Sequence, residues 1–439
     1  MNQTSLSESL PSPNESSASR YDLLLQGGHV IDPLNRIDSV MDIAIKDGTV
    51  AKVAEHIASS DALKTIQVKG LYVTPGLIDI HVHVYAGTGE AGSFAGDYSV
   101  APDGFTFRSG VTTVADAGCA GWRNFEDFKQ RVIDRSQTRV LAFLNIVGHG
   151  MRGDTYEQNV ADMDPQPATT MALKHPGTII GIKTAHFAGP EWTAIERAAI
   201  AGREADIPIM VDFGVDHATR PLYDLMTKKL RAGDIYTHMY SGLRQEQDPK
   251  TLGPSKAFIE GRQHGIYFDL GTGGGSFNWS LAIPMVRDGF PPDSFSTDLH
   301  IRSMNSATKD LLNVTSKMMA IGISLPDAIA SVTSRPAHQV KRDDLGNLSE
   351  GSVADIAVLR LAKGDFGFTD MKNLRIEGHE KLIAELTIKD GKIVYDLNGI
   401  ESRPWTSSPQ PAEDHQSRWT TFAPREPDMH GLKPKAESH

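Results

Sequence analysis

Cysteine is nearly absent from this 439-residue chain. Cys119 stands alone, which excludes an internal disulfide and any metal motif built on paired cysteines. A reducing compartment fits that scarcity, and the cytoplasm is the expected location. Positive charge is also short, 44 Lys and Arg against 55 Asp and Glu for a formal charge of −11. That balance argues against nucleic acid or an anionic membrane as the main partner. Nowhere does an apolar run reach the ~18 residues of a membrane span. The first twenty residues lack the basic start and apolar core of a secretory signal and read as a flexible leader, residues 1–20.

What is present suits a large α/β enzyme. Apolar residues make up 39%, ample for a barrel of about 250 residues plus a smaller module. From residue 21, YDLLLQGGHVIDPLNRIDSVMDIAIKDGTV alternates apolar and polar residues between Gly-Gly, Asp-Pro and Asp-Gly breaks, which predicts short antiparallel strands. The same grammar returns in LIAELTIKDGKIVYDLNG, so residues 21–75 and 345–400 are expected to form one β-sandwich from both chain ends. The polar, Pro-rich residues 401–439 contain Trp405, Trp419 and Phe422 and read as an arm that packs on a neighbour in a homo-oligomer.

Between these ends, residues 76–344 change texture to short apolar runs with polar ends, each followed by helical spacing. That is the pattern of buried parallel strands with crossover helices. Eight runs occur, at 76–84, 111–118, 140–150, 178–186, 207–214, 234–240, 265–271 and 294–300. Successive runs start roughly thirty residues apart, as βα units require, and eight such units predict a (β/α)8 barrel of the TIM type. Helices are predicted over 193–205 and, from a Thr308 cap to a terminal glycine, over 308–322.

Catalytic groups of such a barrel sit at the carboxyl ends of its strands. Here those ends are polar: His81 and His83 on the first, Lys183 on the fourth, Asp212 on the fifth, His238 on the sixth, Asp269 on the seventh, Asp298 and His300 on the eighth. The period of two puts His81 and His83 on one face. Imidazoles and a carboxylate converging from several strands suit one or two divalent ions, zinc above all, with manganese as the alternative. A single His-x-His is more often a core or surface feature than a ligand pair, and the coincidence at the other strand ends is what gives this one meaning.

At these residues the sequence resembles the amidohydrolase superfamily, in its branch of deacetylases related to acyl-amino-acid hydrolases and dihydroorotases. The likeness lies in TPGLIDIHVH at 74–83, GIK at 181–183, GDIYTH at 233–238, STDLH at 296–300 and SEGSVADI at 349–356. It implies that His81, His83 and Asp298 hold one metal, and that Lys183, carboxylated on its amine, bridges to a second held partly by His238. It also implies hydrolysis of a linear N-acyl amide by a metal-acidified water, with Asp298 as general base and then acid. The substrate would be a small molecule bearing an acyl group.

One departure stands out: the family places histidine at the end of strand five, where this chain has Asp212. Aspartate can ligate through oxygen, or His217 on the following loop can replace it. His186 and His300 are candidates to stabilise an oxyanion or to orient a ligand, Arg302 to bind a substrate carboxylate, and Tyr240 to line an apolar or aromatic substrate pocket. Gly273–Gly275 read as a close-packed loop by the site. Two other readings share the sequence, an ester or lactone hydrolase using the same groups and a catalytically silent assembly protein that keeps the barrel.

Overall fold

The computed structural model describes residues 20–214 and 216–407. Residues 1–19 of the expected leader and 408–439 of the expected arm lie outside them. Of the described residues, 20–400 form one compact unit and 401–407 belong to a second. In the second, the described part holds one short 3-10 turn, Trp405–Ser407.

Both ends of the first unit join one eight-stranded sheet. The amino-terminal part supplies β1 (Tyr21–Asp32), β2 (Ile37–Lys46), β3 (Thr49–Ala54), β4 (Ala62–Gln67) and β5 (Tyr72–Pro75). In that sheet β5 pairs with β1 on one side and, on the other, with a strand near the carboxyl end, 356–369. Asp-Gly turns make the tight reversals, Asp47 and Gly48 both taking positive φ between β2 and β3. Leu23, Leu25, Val30, Ile43 and Val73 from one end pack with Ile356, Val358, Leu386 and Ile388 from the other in a single core.

A second, curled sheet is parallel and follows β5 after one glycine. Its strands are β6 (Leu77–Val82), β7 (Val111–Gly121), β8 (Arg139–Asn145), β9 (Ile179–Thr184), β10 (Ile209–Val211), β11 (Ile235–Tyr236) and β12 (Tyr267–Phe268), paired in chain order. They coincide with the first seven apolar runs. The eighth run has no strand of its own, yet isolated parallel bridges tie Ser294 to Asp269 and Leu299 to Val82. Segment 294–299 therefore hydrogen-bonds to residues at the ends of both β12 and β6. The chain then returns to the first sheet through β13 (Ile356–Thr369), β14 (Arg375–Lys389) and β15 (Lys392–Asp396).

Strands buried on both faces explain the unbroken apolar runs. Ile78, Ile80, Ala117, Leu141, Phe143, Ile180, Met210 and Ile235 come from six neighbouring strands yet belong to one cluster, which requires the sheet to curl around them. The opposite faces, with Val114, Val140, Leu144, Ile182 and Ile209, pack on Phe128, Ala168, Ala194, Ala198 and Ala201 of the crossover helices. The helix expected over 193–205 runs Thr193–Glu204 and buries Ala194, Ile195, Ala198, Ala199 and Ala201, the spacing of one helical face. That expected over 308–322 runs Leu311–Ala320 and is capped by Asp310, whose carboxylate accepts the Asn313 N–H at 2.7 Å. Thr308 has other work: its hydroxyl donates to the Gly273 carbonyl at 2.7 Å. No helix among the described residues is long and apolar enough to cross a membrane.

Candidate metal centre

The polar strand ends meet where the curled sheet opens. His81 and Lys183 are almost fully buried, and His81 Nε2 lies 3.4 Å from Lys183 Nζ and 3.6 Å from Asp298 Oδ1. His83 Nε2 is 2.8 Å from the same oxygen. The ring of His238 lies 5.0 Å from that of His81, and ligand atoms of His81, His238 and Asp298 fall within 4.8 Å of one another. Asp212 Oδ2 is 3.5 Å from His238 Nε2 and 3.3 Å from His186 Nε2. All six sequence-nominated ligands thus share one buried cluster.

Backbone geometry helps to place them. His186, His238 and Asp298 all adopt positive φ, at 53°, 62° and 48°. Non-glycine residues rarely hold that conformation, and where they do it is concentrated at functional sites. Glycines let main chain approach the same side chains. A Cβ on Gly118 would stand 2.7 Å from Lys183 Cγ, one on Gly271 2.8 Å from His238 Nδ1, and one on Gly273 2.3 Å from Asp298 Oδ2.

Each imidazole is held from behind. His81 Nδ1 lies 2.9 Å from the Thr237 hydroxyl, which donates to Asp269 Oδ2 at 2.7 Å. An imidazole that turns Nε2 to the cluster carries its proton on Nδ1, and this relay accepts it. His238 Nδ1 is 2.6 Å from the Gly271 carbonyl. His83 Nδ1 rests 3.1 Å from the Cys119 sulfur, beside Asp116, whose oxygens accept the N–H groups of Cys119 and Val84. Thr237, Asp269, Cys119 and Asp116 are supporting residues that sequence reasoning did not nominate. Only Asp269 carried a signal, its place at a strand end.

The electrostatics are those of a cation-binding cradle. Burial alone would raise the Asp298 carboxyl, but the His83 hydrogen bond and the nearby His81, His83 and His238 hold it well below the usual range. Asp212 is likewise raised by burial and more than offset by His238, His186 and Arg244, leaving it strongly acidic. Burial lowers the Lys183 ammonium, against the pull of Asp212, Asp298 and Asp269. It also pushes His81 down to about 3, with Lys183 adding to the shift. A His81 ring held neutral, two further imidazoles, ionised carboxylates and a lysine drawn toward its neutral amine make a donor set that fits one or two divalent ions.

The remaining candidates have partners of their own. His186 Nδ1 is 2.6 Å from Glu157 Oε2; burial disfavours its charge, yet Asp212 and Glu157 together raise it to about 10. His300 caps a short helix, its Nδ1 accepting the Arg302 N–H at 3.3 Å, and burial pushes it down to about 4. Arg302 stacks 4.0 Å over the Tyr98 ring and donates to its hydroxyl. Tyr240 is fully buried and donates its hydroxyl to the Phe290 carbonyl at 3.0 Å. His217 is turned to the Ala188 carbonyl, 2.7 Å away. Phe94, a residue no sequence signal marked, lies 4.5 Å from the His83 ring and 5.2 Å from that of His300, walling the mouth.

Known proteins share this sequence over most of its length. A deacetylase of Enterococcus faecalis is 30% identical over 387 residues, 86% of this chain and 99% of that protein. The chain belongs to the amidohydrolase family. The Amidohydrolase family profile itself matches residues 285–395. A deacetylase of Brucella anthropi is also 30% identical, over 76% of this amidohydrolase and 82% of its own length. Among solved structures, that of an adenine deaminase superposes with a TM-score of 0.77 at 28% identity, covering 86% of this chain and all of the other. That of a dihydroorotase gives 0.74 at 26%, covering 85% and 99%. Family, fold neighbours and donor cluster agree on a hydrolase with side chains able to hold a metal.

Proposed function

We propose that this amidohydrolase cleaves a linear amide, removing an acyl group from nitrogen on a small molecule. The observation that carries the reading is the buried meeting of His81, His83, Lys183, Asp212, His238 and Asp298, six potential ligands from four strand ends and segment 294–299, in a chain 30% identical to proteins named deacetylase. The parallel sheet, completed by 294–299, is read as an eight-stranded barrel spanning 76–344, with 21–75 and 345–400 as its companion sandwich.

His81, His83 and Asp298 would hold one divalent ion, and Lys183 as its carbamate, Asp212 and His238 a second. When bound, such ions polarise the scissile carbonyl and make water a competent nucleophile near neutral pH. The chain's own residues do the rest. Asp298 keeps Oδ1 on the histidine side and has Oδ2 to take the proton of the attacking water and return it to the leaving nitrogen. His186, held cationic between Glu157 and Asp212, lies where it can stabilise the negative carbonyl oxygen. His300 and Phe94 bound the space above His83, Arg302 offers its guanidinium to a substrate carboxylate, and Tyr240 packs the wall behind.

Two measurements test this. Metal analysis of protein purified without chelator is expected to give at least one equivalent per chain; less, with no activity regained on adding zinc or manganese, refutes the reading. A panel of N-acetylated amino acids beside matched acetoxy acids is expected to show turnover of the amides. Turnover of the acetoxy acids alone would make the protein an esterase.

A further inference from the structure

Asp212 ends β10, where the amidohydrolase pattern places a histidine. A carboxylate in place of a neutral imidazole adds a negative charge to the cluster, and the structure supplies a counter-charge beside it. Arg244, on the loop that follows β11, has a side chain about 1% exposed, and its Nη2 lies 2.7 Å from Asp212 Oδ1. The guanidinium is held from other sides as well: Nε donates to the Gly214 carbonyl at 3.0 Å and Nη1 to the Tyr236 hydroxyl at 3.3 Å. Glu246 anchors the same residue by accepting its backbone N–H at 3.0 Å. Asp212 Oδ1 also accepts the Gly214 N–H at 3.3 Å, so that oxygen is committed away from the cluster. Oδ2 is left facing His238 and His186.

We propose that Arg244 is a positioning residue for the metal site. It grips Asp212 by Oδ1, cancels its charge and turns Oδ2 toward His238, so that the Asp212–Arg244 pair stands in for one neutral histidine. This inference rests on the reading that the cluster binds metal. A charge-neutral pair leaves the electrostatic balance around the ions as an imidazole would, which a lone aspartate would not. Neither partner can change alone. Histidine at 212 would leave the buried guanidinium with Glu246, 3.9 Å from Nη1, as its remaining carboxylate, and aspartate without its arginine would keep His186 beside Oδ2 but lose the strongest hold on Oδ1.

The test compares the wild-type chain with Arg244→Met, Asp212→His and the double variant Asp212→His/Arg244→Met. Each is stripped of metal and titrated with Zn2+ or Mn2+, with metal per chain measured by mass spectrometry and melting temperature followed with and without metal. Each single variant is expected to bind the second equivalent about 10 to 100 times more weakly, and the double variant to recover to within roughly threefold of wild type. Recovery in a protein that also carries the methionine excludes simple misfolding as the cause in Arg244→Met. Single variants that keep the second equivalent at wild-type affinity, or a double variant no better than the singles, would overturn the proposal. A wild-type chain that takes up one equivalent, insensitive to Arg244, overturns this role and leaves the hydrolase standing. A wild-type chain that takes up none overturns both.

Discussion

Gly273→Ala puts a methyl group where Asp298 keeps its free oxygen. An ideal Cβ at 273 would stand 2.3 Å from Asp298 Oδ2, and φ there is +54°. The loop cannot slide to relieve it, because the Gly273 N–H donates to the Thr297 carbonyl at 2.9 Å and its own carbonyl accepts from Thr308. Holding alanine in the left-handed region costs about 1–2 kcal/mol. The atom struck is the end of a side chain, so folding loses little more than that, and the melting temperature should fall by only a few degrees. Catalysis loses more. Relief to ordinary contact, from 2.3 Å to 3.4 Å, moves the carboxylate by about 1.1 Å, and a displacement of that size at the reacting centre lowers rate by about 100-fold. Gly275→Ala is the control, since a Cβ there meets nothing within 4 Å. The assay is kcat/KM on the most active acetylated amino acid at saturating metal, with calorimetry on the same samples. A Gly273→Ala enzyme within threefold of wild type, or a Gly275→Ala enzyme equally damaged, would refute the reasoning.

Two further outcomes follow from single residues. Asp298→Asn keeps the shape of the side chain but cannot accept a proton, so kcat should drop by about 10² to 10⁴; stopped assays retaining over a tenth of wild-type kcat would show that another group moves the proton. Lys317 is buried, with Nζ 5.1 Å from the centre of the Phe277 ring; burial, with Lys309 adding and Asp370 opposing, lowers it to about 7. The unfolded chain then binds more protons than the folded one from about pH 7 to the ordinary lysine range, so this residue's cost is fullest below 7 and fades as pH rises. A tenfold change in proton affinity is worth ~1.4 kcal/mol, so Lys317→Met should stabilise the protein by a few kcal/mol near pH 6 and hardly at all near pH 10.5. Urea titrations at both pH values check it, and an equal gain at both would contradict the account.

Strand ends were legible because burial on two faces forces apolar runs that stop where the chain meets solvent or chemistry. Seven of the eight runs are strands; the eighth, 294–300, is joined to its neighbours by isolated bridges, with Asp298 at positive φ within it. The cap expected at Thr308 moved to Asp310, since both residues have capping chemistry and the Thr308 hydroxyl is taken up in donating to the Gly273 carbonyl. Arg244 and Phe94 were invisible for a related reason. They come from loops whose path no periodicity records, and an arginine reads as solvated surface until its carboxylate is found beside it. The three consecutive glycines looked alike in the sequence, yet only Gly273 combines a positive φ with a close approach to Asp298.

The pairing of β5 sets a timetable for synthesis. This four-residue strand leads into β6 through Gly76, and it is flanked by β1 and by β13, with Thr74 hydrogen-bonded to Ala357 across a separation of 283 residues. At the ~5–20 residues per second of translation, β5 waits on the order of half a minute for its second neighbour. Through that interval the first sheet has an unpaired edge at β5, open to pairing with another nascent copy. Chaperone demand and aggregation should accordingly be greatest for chains stalled before residue 356, and should fall sharply once β13 has emerged.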